Sequence, residues 1–115
     1  MTDSQPLKPI EFRGSSKKDL LAFPRPAIED GGHQLFLVQK GEEPHDWKPM
    51  VNVGHGCFEI RISESGDAFR IIYVAKFADA VYVLHCFQKT TRQTAHRDID
   101  LAKTRYQDLL RELKS

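Results

Sequence analysis

Cysteine is nearly absent from this 115-residue chain: Cys57 and Cys86 are the only two, with no CxxC and no second pair. A disulfide framework is therefore excluded, and a cysteine-based structural zinc site is not indicated. A single disulfide between the two stays open but is not required, because both fall in strand-like segments where a reduced cysteine serves as a small apolar filler. Five histidines are scattered along the chain, and neither a metal nor a cofactor is expected. No apolar run approaches the ~18 residues that cross a bilayer. The start, Met1-Thr-Asp-Ser-Gln-Pro6, has neither the basic nor the apolar region of a signal peptide. A soluble, cytoplasmic protein is expected, with residues 1–7 as a flexible N-terminal segment. Repeats and low-complexity tracts are also missing.

Net charge is close to nil, at +1, which by itself argues against a nucleic-acid binder. Divided along the chain, the charge is uneven. Residues 1–46 carry six Lys/Arg against eight Asp/Glu, residues 47–97 carry seven against four, and residues 98–115 carry four of each. The positive excess lies in the middle segment, in or beside which His45, His55, His85 and His96 would add charge below about pH 6.5.

What is present is enough apolar surface for one core. A chain of this length matches one domain of ~100 to 150 residues, so 1–115 reads as a single domain. A hydrophobic fraction of 40% with seven Phe argues against disorder. Lys8 to Arg13 reads as a short first strand ended by Gly14, with Pro9 tolerable at a strand start or edge. Ser15 or Ser16 caps a short helix through Phe23. Pro24-Arg-Pro26 stops it and opens a second helix running to about Lys40, with Gly41 as its stop. Gly31-Gly32 sits awkwardly inside that second helix. Gly41 to Gly56 reads as a loop containing Trp47-Lys48, with a short extended piece around Met50 to Val53.

Three strands follow: Cys57 to Ile62, Phe69 to Val74 and Val81 to Lys89. Glu64-Ser-Gly-Asp67 is a tight hairpin turn and Phe77 to Ala80 a second, so these strands should form an antiparallel meander. Asp98 or Thr94 caps a last helix on which Ile99, Ala102, Tyr106, Leu109, Leu110 and Leu113 repeat at three- and four-residue spacing. The expected fold is α+β: a small antiparallel sheet of about four strands, covered on one face, with an N-terminal αα-hairpin and a C-terminal helix.

The strands carry more cations than a structural sheet requires. By alternation Arg61 shares a face with Glu59 and Ser63, whereas Arg70 goes with Ile72 and Val74, opposite Ile71 and Tyr73. A cross-strand ion pair with Glu59 or Glu64 would account for Arg61 alone, at ~0.2 to 1 kcal/mol. Lys89, Arg92, His96 and Arg97 form a basic stretch between the last strand and the last helix. RNA cleavage without metal needs a base for the 2′-OH, cations for the scissile phosphate and an acid for the leaving oxygen, and Arg, Lys, His and Tyr supply all three. His85, within an apolar strand, reads as core. Trp47 either stacks on a base or anchors a loop.

The order of these segments, with Trp47-Lys48, Phe58-Glu-Ile-Arg61, Phe69-Arg-Ile-Ile-Tyr73, Leu84-His-Cys-Phe-Gln-Lys89-Thr, Ala102 and Arg105, resembles the RelE/ParE toxin superfamily from about Ile10 to Leu110. More narrowly, it is similar to the HigB-like, phage-derived branch. The resemblance implies a type II toxin-antitoxin toxin that enters the ribosomal A site and cuts messenger RNA without metal, paired with a helix-turn-helix, HigA-like antitoxin. By position Lys48, Arg61, Arg70 and Lys89 match the branch's basic residues, which hold RNA phosphates. Arg70, Tyr73, Lys89 and His96 are the catalytic candidates, and Lys48, Arg61, Arg92 and Arg97 the phosphate-binding ones. The branch usually has a second lysine where this chain has Thr90, and often a proline near Ala95. A ParE-like poison of DNA gyrase and an inactive remnant that binds only its antitoxin are the competing readings.

Overall fold

A computed structural model describes residues 6–115; part of the expected flexible segment, residues 1–5, lies outside the described residues. Eight elements follow one another: β1 (Ile10–Phe12), α1 (Ser16–Leu21), α2 (Arg25–Gln39), β2 (Trp47–Pro49), β3 (Cys57–Glu64), β4 (Asp67–Val74), β5 (Val81–Lys89) and α3 (His96–Lys114). The strands form one sheet in the order β1-β5-β4-β3-β2. All neighbours are antiparallel except β1, which runs parallel to β5 with Ile10 opposite Val81 and Phe12 opposite Val83. The α+β class and the meander are as expected. The sheet has five strands, the fifth being β2 at Trp47–Pro49, whereas Met50 to Val53 turns instead of extending.

The expectation of a sheet covered on one face is corrected. Strand alternation sends Ile60, Ile62, Phe69, Ile71 and Tyr73 towards α1 and α2. On the other side Cys57, Ile72, Val74, Tyr82 and Leu84 pack beneath Ala102, Tyr106 and Leu109 of α3. Arg70 lies on the α3 side, so the outward face of β4 that alternation left open is neither: both sides of this strand are buried. Cys57 and Cys86 occupy opposite cores as free thiols. Burial pushes both thiols up to about 12.

Local chemistry explains the ends of the elements. At Glu64-Ser-Gly-Asp67 both central residues have positive φ, 51° and 83°, the geometry of a two-residue hairpin turn whose twist matches the strands. The second helix ends with Glu42 N–H donating to the Leu37 carbonyl and Gly41 N–H to that of Val38, with Gly41 in the left-handed region that this cap requires. Gly31 has a packing reason: a Cβ there would lie 3.1 Å from Ile71 Cδ1 and 3.3 Å from Leu20 Cδ1. A side chain there would need these core methyl groups to give way by a few tenths of an ångström. Gly32 faces open space.

Ser15 does precede α1, but its hydroxyl donates to the Asp19 carboxylate and accepts no hydrogen bond from a backbone amide of the helix. Arg105 of α3 donates to the Leu84 carbonyl and to Ser15 Oγ, tying α3, β5 and α1 together.

Candidate functional site: a cationic half-face of the sheet

α3 covers only part of its side of the sheet. Its Tyr106 hydroxyl donates to the His55 carbonyl near the start of β3, and its first turn stops at His85, where Asp98 Oδ1 lies 2.7 Å from Nε2. Beyond that point, towards the β3–β4 turn, no helix among the described residues lies over the face, and Arg61 and Ser63 are exposed.

Pairing brings the cations together on this open half. Lys48 of β2 lies opposite Glu59 of β3, Arg61 opposite Arg70 of β4, and Ala68 opposite Lys89 of β5. Two arginines directly opposite one another repel, and what offsets the repulsion is Glu59. This carboxylate is fully buried. Its Oε1 lies 3.5 Å from Arg70 Nε and 3.9 Å from Lys48 Nζ, and its Oε2 accepts a 2.9 Å hydrogen bond from the Thr94 hydroxyl. Among the described residues neither Glu59 Oε1 nor Arg70 Nε completes a hydrogen bond, so attraction across the gap holds the pair. Arg70 is itself almost buried and donates through Nη1 to the Phe69 carbonyl.

The electrostatics carry the mark of crowding. Desolvation, then the neighbouring Arg61, lowers the Arg70 pKa against the pull of Glu59 and Asp46. The Lys89 pKa is also lowered, by desolvation first, then by Arg70, with Lys48 and Arg61 adding smaller pushes against Glu59. Four cations thus meet two carboxylates, Glu59 and Asp46. Lys89 donates to the carbonyls of Thr91 and Arg92, which folds the β5–α3 connection around its ammonium.

Of the sequence candidates, Lys48, Arg61, Arg70 and Lys89 are brought together. His96 is exposed at the first residue of α3, two positions from Thr94, and Arg92 and Arg97 are exposed on the same connection and first turn. Tyr73 is not in the cluster. It points to the α1/α2 side with Phe58 and Trp47, the opposite side from Arg70, and burial pushes its hydroxyl up to about 12. The expected ion pair of Arg61 with Glu59 or Glu64 does not form among the described residues, since Glu59 is taken by Arg70 and Lys48.

Glu59, Thr94 and the pair His85–Asp98 were not among the sequence candidates for the site. His85 is a buried histidine in an apolar strand, as expected, but a bulge decides where it points. The register passes from Ile72–His85 to Tyr73–Val83, so Leu84 is an extra residue, and His85 turns to the α3 side, where it stacks on Phe87 at 4.8 Å. Strict alternation from Val81 would have sent it the other way. Thr94 and Asp98 were expected to cap α3, but no side chain caps that helix. Both expected caps are engaged with buried ionisable groups of the sheet.

A family model described as "Phage derived protein Gp49-like" matches residues 18–107. The chain belongs to that family. Gp49-like proteins are RelE-like, toxin-like proteins, and the match runs from α1 to the middle of α3, taking in every cluster residue. No curated protein and no solved structure matches the chain significantly.

Proposed function

We propose that this Gp49-like chain is the toxin of a type II toxin-antitoxin pair, of the HigB-like branch, and that it is a metal-independent endoribonuclease cutting messenger RNA in the ribosomal A site. The observation that carries this reading is Arg61 facing Arg70 across β3–β4, with Lys48 and Lys89 beside them and one buried carboxylate as shared counterion. Two arginines facing one another cost the sheet stability. An incoming phosphodiester supplies the missing negative charge, and preorganised cations stabilise it most as charge builds in the transition state.

In the reaction, the 2′-oxygen attacks the adjacent phosphorus as its proton leaves, and the bond from phosphorus to the 5′-oxygen breaks. Arg61, Arg70 and Lys48 hold the non-bridging oxygens. Glu59 and Thr94 position Arg70. Lys89, its pKa lowered by desolvation first and then by neighbouring cations, protonates the departing 5′-oxygen, and His96 takes the proton of the 2′-OH. Arg92 and Arg97 extend the phosphate track along the first turn of α3. A helix-turn-helix antitoxin of the HigA type would hold the toxin inactive in the cytoplasm.

Expression of the chain alone, with protein synthesis, message length and DNA integrity followed together, tests the proposal. Arrested translation with shortened messages is expected. Intact translation with broken DNA would instead indicate a gyrase poison.

A further inference from the structure

The side of the sheet away from the cationic cluster carries a concavity of about 440 Å³, within the ~300 to 1,000 Å³ of ordinary ligand pockets. Its walls are Val38, Pro44, Trp47, Phe58, Tyr73 and Ala75. Trp47 meets Phe58 edge to face, with ring centroids 5.2 Å apart, and Phe58 leans on Tyr73 at 5.9 Å. The rim is charged with both signs: Lys8, Lys76 and His55 on one part, Glu42 and Glu43 on another. Lys8 is engaged with the Ala75 carbonyl. An aromatic wall with a partly exposed indole and polar groups around the mouth matches a flat heteroaromatic ring with hydrogen-bonding edges.

The location narrows the ligand. Trp47 and Lys48 are adjacent residues of β2, which is the outer strand of the sheet. Strand alternation puts Trp47 in the pocket on one side and Lys48 beside Glu59 on the other. Their Cα atoms are ~3.8 Å apart, and among the described residues no further strand blocks the edge. A nucleotide whose phosphate lies on Lys48 can therefore turn its base over β2 against the indole.

Resting on the RNA reading above, we infer that the Trp47–Phe58–Tyr73 pocket takes one unstacked nucleobase of the RNA strand whose phosphates lie on the Lys48–Arg61–Arg70–Lys89 cluster. The base stacks on Trp47. The Tyr73 hydroxyl and the Glu43 carboxylate line the pocket and are available to the edge of the base. The two sides of β2 then divide the work: phosphate on one, base on the other.

Trp47 is the chain's single tryptophan, so its emission reports the pocket directly. The full chain is titrated at low salt with a short single-stranded RNA carrying 2′-O-methyl groups, which cannot be cut, and with the same backbone lacking bases. Quenching of Trp47 by the intact RNA is expected, with affinity about fivefold to a hundredfold weaker for the abasic strand. Measured by anisotropy of labelled RNA, Trp47→Leu should lose a similar factor and Trp47→Phe should restore most of it. Both variants are checked for native circular dichroism. Equal affinity for intact and abasic strands, or unchanged affinity in Trp47→Leu, overturns the base pocket while leaving the phosphate cluster standing. If neither strand binds, or binding ignores Lys48→Ala and Arg70→Lys, the RNA reading and the pocket fall together. Quenching by a protein partner but not by RNA identifies the pocket as a protein-docking site and overturns the inference.

Discussion

The hydroxyl of Thr94 donates to the buried carboxylate of Glu59 across 35 residues of sequence, at 2.9 Å. This bond joins the β5–α3 connection to the middle of the sheet and fixes the carboxylate that balances Arg70.

Replacing Thr94 with Val keeps the shape and removes the donor, so a buried ionised acceptor loses a partner. A loss of about 1 to 3 kcal/mol is expected, read by urea denaturation of the purified chain. Toxicity should fall as well, because Arg70 loses its fixed counterion. Full stability together with full toxicity would mean that the bond carries no weight.

Arg70 and Glu59 should behave as a coupled pair. Truncating either alone leaves the other charge buried, at a cost of about 3 to 5 kcal/mol, so loss of toxicity in Arg70→Ala does not by itself assign Arg70 to the reaction. The double variant Glu59→Leu/Arg70→Leu removes both charges and should recover most of the lost stability, since apolar replacements of a buried pair are often neutral or better. It should remain non-toxic. A toxic double variant would remove Arg70 from the site.

Stability should fall on the alkaline side. The Cys57 and Cys86 thiols are raised from 9.0 to about 12 in the folded chain, and the Tyr73 hydroxyl from 10.0 to about 12, all chiefly by burial. Their protonated forms fit the core, so their contribution is intact below about pH 9. It is lost as pH climbs towards 12, where the unfolded chain releases protons that the folded chain retains. Denaturation midpoints measured from pH 8 to 11 should decline, and Cys57→Ala/Cys86→Ala should flatten the decline. The same burial predicts slow reaction of both thiols with a disulfide reagent at pH 8.

Gly14 sits at φ 55°, and a Cβ there would lie 2.6 Å from Arg105 Nε. Gly14→Ala should dislodge Arg105 from the Leu84 carbonyl and Ser15, costing about 1 to 2 kcal/mol in backbone strain alone. The thermal midpoint should drop while the phosphate cluster, on other strands, keeps its affinity for RNA. A loss of RNA affinity greater than the loss of folded protein would place Arg105 in the site.

Much of the fold was legible because local signals agreed with tertiary ones. The two-residue turn at Ser65-Gly66, the stripe from Ile99 to Leu113 and the stop at Gly41 each follow from backbone and side-chain preferences that packing reinforces. The β2 strand was not legible: three residues carry no periodicity, and Trp47-Lys48-Pro49 extends because β3 offers an edge. Of the four cations, Arg61, Arg70 and Lys89 lay on expected strands, but alternation left the face of Arg70 open, and Lys48 reaches the cluster through the unforeseen β2. The remainder of the site depends on long-range contacts. Thr94 and Asp98 carry good capping chemistry, which hid their use on Glu59 and His85, and a single inserted residue at Leu84 determines which way His85 faces. Tyr73 was a catalytic candidate for the acid-base chemistry of its hydroxyl, and it lies three residues from Arg70. An odd spacing in a strand puts the two on opposite faces, and that much was already visible in the alternation.

The most direct test of the central claim is the chemistry of the cut ends. Purified chain is added to ribosomes programmed with a defined message, and the fragment termini are mapped. Attack by the 2′-oxygen predicts a 2′,3′-cyclic phosphate on one fragment and a 5′-hydroxyl on the other, a single 2′-deoxy substitution at the cut abolishing the reaction, and Lys89→Ala slowing it at least tenfold. An uncut message, or cleavage that leaves 5′-phosphates and tolerates the 2′-deoxy substitution, would contradict it.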